Sequence, residues 1–277
     1  MGVDVGQDMG KVSVYGMGIM LFFTLLTLIS HQFISIFLFS FIAGFGGGLT
    51  QAAVAVALAR TQRYERAFAI FTSFQFFYPG IGAYFLPRLL QSASSSLLHG
   101  FNGMQWGQAL LIFSSLLMAP VIGIFRRSMS ATDPASDSIS HTPENTMEIK
   151  TLLTLPAILS NVGICIYGGS NGAIFAYSEG IGRLAHLDVY TVGDIVAYAN
   201  FAAGFAAIGV AWLDNRIGHY TPLITGIAIQ FLSAIILYAF VSEAGYVVGM
   251  FVFTISWALV FPIFLVFNPN LIHPVRS

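Results

Sequence analysis

Long apolar runs separated by short polar breaks dominate the chain. A helix needs roughly 20 mostly apolar residues to cross the hydrocarbon of a membrane. Eight stretches meet that pattern, at 12–30, 33–59, 67–90, 106–125, 152–177, 192–213, 221–241 and 246–267. The second is long enough to tilt or to protrude past the hydrocarbon. The longest polar connection, RRSMSATDPASDSISHTPENTMEIK at 126–150, is rich in Ser, Thr, Asp and Pro and has little to bury, so it reads as a flexible linker. It divides the spans four and four. The predicted fold class is therefore all-α: a polytopic transmembrane helical bundle of about eight spans in two four-helix halves. The halves are 1–125 and 151–277, joined by a cytoplasmic linker at 126–150. A second polar connection, SEGIGRLAHLDVYTVGD at 178–194, is expected to hold a short interfacial turn.

Composition removes the soluble alternative. Only 8% of the 277 residues are charged and 56% are hydrophobic, whereas a soluble domain carries about 25% charged residues. A lipid-facing surface needs none, so the bilayer is the first partner expected. The net charge of −1 gives no electrostatic footprint for nucleic acid. Charge also sets orientation, because Arg and Lys accumulate on the cytoplasmic side. With eight spans, one side collects Lys11, Arg60, Arg63, Arg66, Arg126, Arg127, Lys150, Arg216 and Arg276, and the other only Arg88 and Arg183. That bias places both termini in the cytoplasm. Residues 1–11 carry Asp4 and Asp8 against Lys11, and His31 and Gln32 follow the first apolar run instead of a small-residue cleavage site, so that run is read as a retained span. The single cysteine, Cys165, has no partner for an intramolecular disulfide.

Enzyme chemistry finds no footing. There is no HExxH, no GxSxG, no GxxxxGK[ST] and no His/Cys cluster with metal spacing. The six histidines fall in loops or at span ends. The expectation is a non-enzyme with no cofactor and no metal.

Polar residues at mid-span depth carry more information, since an unpaired polar group in hydrocarbon is expensive and turns to the protein interior or to a wet cavity. The candidates for a substrate cavity are Gln51, Gln75, Tyr78, Asn161, Tyr167, Asn171, Tyr198, Asn200 and Trp257, with Gln230 and Ser256 also at mid-span. Gln75/Tyr78 and Tyr167/Asn171 stand three and four residues apart, so each pair shares a helix face. Two readings stand for each residue: an interhelical hydrogen bond worth about 1 kcal/mol, or a cavity wall. As a set, uncharged polar and aromatic groups in several spans point to a cavity for a small organic molecule. No Asp, Glu, Lys or Arg stands at the middle of a span, where proton relays and ion paths usually place them. Glu179, Arg183, Asp188 and Asp194 gather near the far-side ends of the fifth and sixth spans. They read either as a solvated loop with a helix cap or as a gate or proton entry.

Glycine and proline punctuate the spans. Gly44 and Gly48 in GFGGG have the GxxxG spacing of close helix packing. Pro79 and Gly80 in YPGIG predict a kink or a packing seam. YGGSNG at 167–172 is expected to weaken or break its helix, or to kink it. The loop AWLDNRIGHYTP at 211–222 packs an acid, an arginine and a glycine together: Asp214, Asn215, Arg216 and Gly218 are its candidate gating residues. Arginine there can pair with a carboxylate or with helix C-terminal carbonyls, and glycine allows a sharp turn.

At this loop the chain resembles the major facilitator superfamily, whose signature between helices 2 and 3 and again between 8 and 9 is roughly G-x-x-x-D-R-x-G-R-R. Asn215-Arg216-Ile217-Gly218-His219 falls on D-R-x-G-R, with Asp214 one place early and Ala211 at the first glycine. Gly10 and Lys11 match the tail of the first copy, LARTQRYERAF resembles the loop between helices 4 and 5, and YPGIGA resembles the proline-glycine motif of helix 5 in many antiporters. The resemblance spans nearly the whole chain and implies alternating access between two bundles around a midplane site. It aligns the eight spans with helices 3–10 of the usual twelve, and so implies a truncated member. The function expected from it is transmembrane transport of a small organic molecule by alternating access, with proton-coupled efflux across a bacterial-type inner membrane as its specific form. The alternative is a non-transporting remnant or membrane subunit that associates with partner helices.

Overall fold

The structure is a computed structural model, and it describes residues 5–59, 64–93, 155–213 and 220–266. Helices are the only regular elements among those residues: α1 (Val5–Ile29), α2 (Phe33–Ala59), α3 (Tyr64–Ala93), α4 (Leu155–Ala176), α5 (Ser178–Leu184), α6 (Val189–Leu213), α7 (Tyr220–Ala239) and α8 (Glu243–Val266). An all-helical chain is what hydrocarbon demands, because each backbone N–H and C=O must be satisfied within its own segment. Seven expected spans coincide with long helices, six of them to within a few residues and the first, expected at 12–30, with a helix that begins at Val5. The remaining span, the fourth, at 106–125, and the linker at 126–150 lie outside the described residues.

Among the described residues, five helices are long and apolar enough to cross a membrane: α1, α2, α6, α7 and α8. α3 and α4 also have the length, 30 and 22 residues, and carry polar side chains along it. α3 carries Gln75 and Arg88, and α4 carries Ser160, Asn161, Ser170 and Asn171. These are the two helices that hold most of the expected cavity residues.

The 178–194 connection forms a short helix, α5, and the start of α6. α5 ends with the N–H of His186 donating to the carbonyl of Arg183 at 3.0 Å and that of Leu187 to Gly182 at 3.0 Å. This is the paired bond pattern that closes a helix through a left-handed residue. That residue is His186, with φ of 62°. Asp188 then caps α6. Its Oδ1 accepts the backbone N–H groups of Tyr190 and Thr191 at 2.9 and 3.1 Å, and its Oδ2 accepts the Thr191 hydroxyl at 2.5 Å. Ser242 plays the same part before α8, accepting the N–H of Gly245 at 3.1 Å.

Two packing arrangements follow. α1 and α2 pack along each other and touch the rest of the bundle only sparingly, through α3. α3 packs along α6, α6 against α8, and α8 against α7. One apolar cluster (Ala185, Val192, Ile195, Leu237, Tyr246, Met250) ties α6, α7 and α8 to the turn after α5. The Tyr246 hydroxyl donates to the Ser178 carbonyl at 3.1 Å, which fastens α5 to α8. A second cluster (Phe76, Ala203, Ala207, Ala258) joins α3, α6 and α8.

One local expectation is corrected. The stretch 167–172 does not break its helix: α4 runs unbroken through it. Ser170 and Asn171 turn their side chains back onto the carbonyls of Ile166 and Tyr167 at 2.8 and 2.7 Å, and in hydrocarbon an opened turn would strand backbone groups. An added Cβ at Gly44 or Gly48 meets nothing within 4 Å among the described residues, and the close glycine approach seen on α2 is at Gly46, where a Cβ would stand 2.6 Å from the Gly16 carbonyl of α1.

Candidate functional site

The best-defined polar centre joins α4 to α7. The Tyr167 hydroxyl donates to Gln230 Oε1 at 2.7 Å, Gln230 Nε2 donates to Asn171 Oδ1, and Asn171 Nδ2 donates to the Tyr167 carbonyl at 2.7 Å. Asn171 and Gln230 are buried, at 2% and 5% exposure. The spacing that puts Tyr167 and Asn171 on one face of α4 continues one turn on to Phe175. Phe175 lies 5.3 Å from the Trp257 ring and 5.8 Å from Phe253, both on α8. Phe76 of α3 meets Trp257 edge-on at 5.2 Å. Uncharged side chains of α3, α4, α7 and α8 thus run from a hydrogen-bonded amide–phenol centre to an aromatic cluster.

The other expected cavity residues distribute as follows. Asn200 is buried in the contact between α3 and α6 and donates back to the Val196 carbonyl of its own helix at 2.8 Å. Gln75 is half-buried on α3. Pro79 has no N–H, so the Gln75 carbonyl lacks its usual helical donor four residues on. Tyr78 and Tyr198 are exposed, at 46% and 53%. Gln51 lies on α2, whose main contacts are with α1, and does not join the centre. Asn161 is in α4, and its side chain lies outside the described part. The gating-loop candidates Asp214, Asn215, Arg216 and Gly218 lie outside the described residues altogether.

At Gly80 the helices lie close: a Cβ there would stand 3.1 Å from the Phe201 ring and 3.2 Å from Asn200 Cβ. Gly80 belongs to a longer contact between α3 and α6. A Cβ at Gly204 would strike the Phe77 ring, and one at Gly193 would stand 2.8 Å from the Ala83 carbonyl and 3.1 Å from Pro87. Positions on α3 rise as those on α6 fall, so the helices run antiparallel.

At the end of this contact Arg88 and Asp194 form a two-pronged ion pair, with Nη1 to Oδ1 at 2.7 Å and Nη2 to Oδ2 at 2.9 Å. Arg88 Nη1 also donates to the Tyr84 carbonyl at 2.7 Å, and its guanidinium lies 3.9 Å from the centre of the Tyr84 ring. The other members of the charged group do local work. Glu179 pairs with Arg183 one turn along α5 at 2.5 Å. Asp188 caps α6, and the Thr191 hydroxyl, with the backbone N–H groups of Thr191 and Tyr190, holds its carboxyl below the usual carboxylate range. The sequence signalled Arg88 and Asp194 separately, as opposite charges at span ends on one side. Their partnership across 106 positions of sequence was not readable from spacing.

Among the described residues no group of His, Cys, Asp and Glu is placed to hold a metal ion. The centre can offer hydrogen bonds and aromatic faces to an uncharged molecule.

Comparison with curated proteins and with solved structures found no match. The family model of the Major Facilitator Superfamily matches residues 5–275. With long apolar helices suited to a bilayer and a match over almost its whole length, the chain is an integral membrane protein of a transport family and belongs to the major facilitator superfamily.

Proposed function

We propose that the chain carries a small, uncharged organic molecule across the membrane by alternating access. The observation that carries this reading is the set of uncharged polar and aromatic side chains that runs from Tyr167, Asn171 and Gln230 to Phe175 and Trp257. Small-molecule sites are mostly apolar and aromatic, with a few convergent polar groups that fix orientation. One further fact supports it. The Gln75 carbonyl is released from its helix by Pro79 beside the aromatic cluster on α3, and such freed backbone groups suit a polar path.

In this reading 1–125 and 151–277 are the two moving bodies, joined by the linker at 126–150. The loop with Asp214, Asn215, Arg216 and Gly218 latches the cytoplasmic side. Both termini face the cytoplasm of a bacterial-type inner membrane, and export is driven by the proton gradient.

The test is flux in vesicles reconstituted with this chain alone, using a panel of uncharged aromatic compounds and an imposed proton gradient. Transport above protein-free vesicles, reduced at least tenfold by Trp257→Ala and abolished by a protonophore, is the expected result. Flux insensitive to the protonophore removes proton coupling. Flux equal to protein-free vesicles for the whole panel removes the transport reading.

A further inference from the structure

We infer that the polar centre between α4 and α7 selects by the direction of a hydrogen bond: it takes uncharged aromatic molecules that donate one, such as phenols, and disfavours those that can only accept. The inference rests on the transport reading and names the substrate class of the same site.

One backbone atom sets the direction. The Tyr167 carbonyl can only accept. The Asn171 side chain meets that carbonyl at 2.7 Å, so it must turn its amide N–H toward it; the reversed amide would set two oxygens against each other. Asn171 Oδ1 is thereby turned to Gln230 and has to receive a donor, which Gln230 supplies through Nε2. That leaves Gln230 Oε1 facing the Tyr167 hydroxyl at 2.7 Å, and the hydroxyl gives its only proton to it. A side-chain amide in isolation can present either end, but here each member fixes the next. Asn171 and Gln230 are both buried, so bulk water supplies neither with a substitute partner.

The consequence falls on Tyr167, which is half-buried and the most open of the three. With its proton committed to Gln230, what its hydroxyl presents to a ligand is an acceptor. A ligand O–H or N–H matches that oxygen. An ether or ketone sets acceptor against acceptor, and a site built to hydrogen-bond one kind of group rejects the analogue that leaves its polar atoms unmatched. Among the described residues α4 does not pack along α7; these long side chains bridge the two. An added Cβ at Gly168, Gly169 or Gly172, beside Tyr167 on α4, meets nothing within 4 Å among the described residues. Phe175, whose ring lies 5.3 Å from Trp257, stands two turns along α4 from Tyr167, about 12 Å. A two-ring molecule with its donor at one end has that length. Its far ring meets the aromatic cluster while its donor meets Tyr167.

The test is binding to the chain in lipid nanodiscs, by titration calorimetry with empty nanodiscs subtracted. Three compounds of similar length are compared: para-phenylphenol, which donates, para-methoxybiphenyl, which only accepts, and biphenyl, which does neither. The phenol is expected to bind about tenfold tighter than the ether, the scale of one matched hydrogen bond. Tyr167→Phe removes the acceptor. Gln230→Leu keeps it but returns the proton to the hydroxyl, which can then serve the ether as well. Each change is expected to bring phenol and ether to nearly equal affinity, with biphenyl binding kept as the sign that the site still forms. Equal binding of phenol and ether by the unaltered chain overturns the inference, as does a tighter ether or no binding of either, whatever the variants do. A preference lost in Tyr167→Phe but kept in Gln230→Leu, with biphenyl still bound, also overturns it, because the chain of hydrogen bonds would then not set the direction. A preference in nanodiscs with no flux in the vesicle assay leaves the selection standing and removes the transport reading. Flux without any preference for donors does the reverse.

Discussion

The helix pair α1–α2 and the helix pair α3–α6 are both built on glycine, and they use it differently. In α1–α2 backbone meets backbone: a Cβ on Gly46 would stand 2.6 Å from the Gly16 carbonyl and 2.7 Å from the Met20 nitrogen, and one on Gly16 would stand 2.7 Å from the Gly46 carbonyl. Thr50 fits in alongside, with its hydroxyl 3.1 Å from the Gly46 carbonyl of its own helix and 3.4 Å from the Ser13 carbonyl of α1. In α3–α6 the glycines at 80 and 204 face aromatic rings, Gly193 alone meets backbone, at the Ala83 carbonyl, and the contact ends in a partly exposed ion pair. Burial separates them as well. Half of the α6 span is buried within the protein and only 11% of the α2 span. Among the described residues the first pair touches the rest only sparingly, through α3, whereas the second is tied into the bundle through α8.

Small substitutions at glycine sharpen that comparison most. Gly46→Ala forces backbone apart and is expected to cost about 2–3 kcal/mol, at the upper end for overpacking, read as a fall in the melting temperature of the solubilised protein. Gly80→Ala asks an aromatic ring to give by a few tenths of an ångström and should cost less than about 1 kcal/mol. Equal costs would erase the distinction between the two contacts.

The α4–α7 contact is a third kind, closed by hydrogen bonds. Gln230→Leu leaves the Tyr167 hydroxyl and the Asn171 carbonyl oxygen without this partner. A loss of about 1 kcal/mol is expected, the scale of a polar contact between membrane helices, with a larger fall in flux than in stability. A loss of stability alone would make the centre a packing device.

Smaller effects belong to the turn that sets the start of α6. His186 holds a left-handed backbone at φ of 62°, where a side chain costs about 1 kcal/mol that glycine avoids. His186→Gly should therefore raise the melting temperature slightly. The Asp188 carboxyl is held below its usual range by Thr191 and by backbone N–H groups. Its contribution is present above the ordinary carboxylate range and is lost as pH falls through that lowered value. Hydrogen exchange at Tyr190 and Thr191 should stay slow down to pH values below the usual carboxylate range, and Asp188→Ala should remove that pH dependence.

The sequence reading succeeded where one physical rule acts alone. Hydrocarbon thickness sets span length, so seven of the expected spans coincide with helices. The interfacial turn before α6 was visible as a polar break. Registry was harder to read. Four glycines within positions 44–48 leave the packing face undecided until Gly16 of α1 is brought alongside. The stretch 167–172 looked like a breaker because glycine and serine weaken helices in water, whereas lipid penalises an open turn more. In the candidate site, Tyr167 and Asn171 were legible as one face of α4. The role of Gln230 as their joint partner was not, because it depends on how α7 lies beside α4. The aromatic neighbours of Trp257 were hidden among 26 phenylalanines.

The central claim is that the α3–α6 seam opens while the α1–α2 hairpin does not. The most direct measurement places spin labels on exposed positions, Phe85 with Val189 across the first contact and Phe22 with Phe41 across the second, and compares distance distributions with and without a transported compound. A second, longer distance between 85 and 189 together with an unchanged 22–41 distance is the predicted result. A single unchanged distance across α3–α6 in every condition would contradict the account.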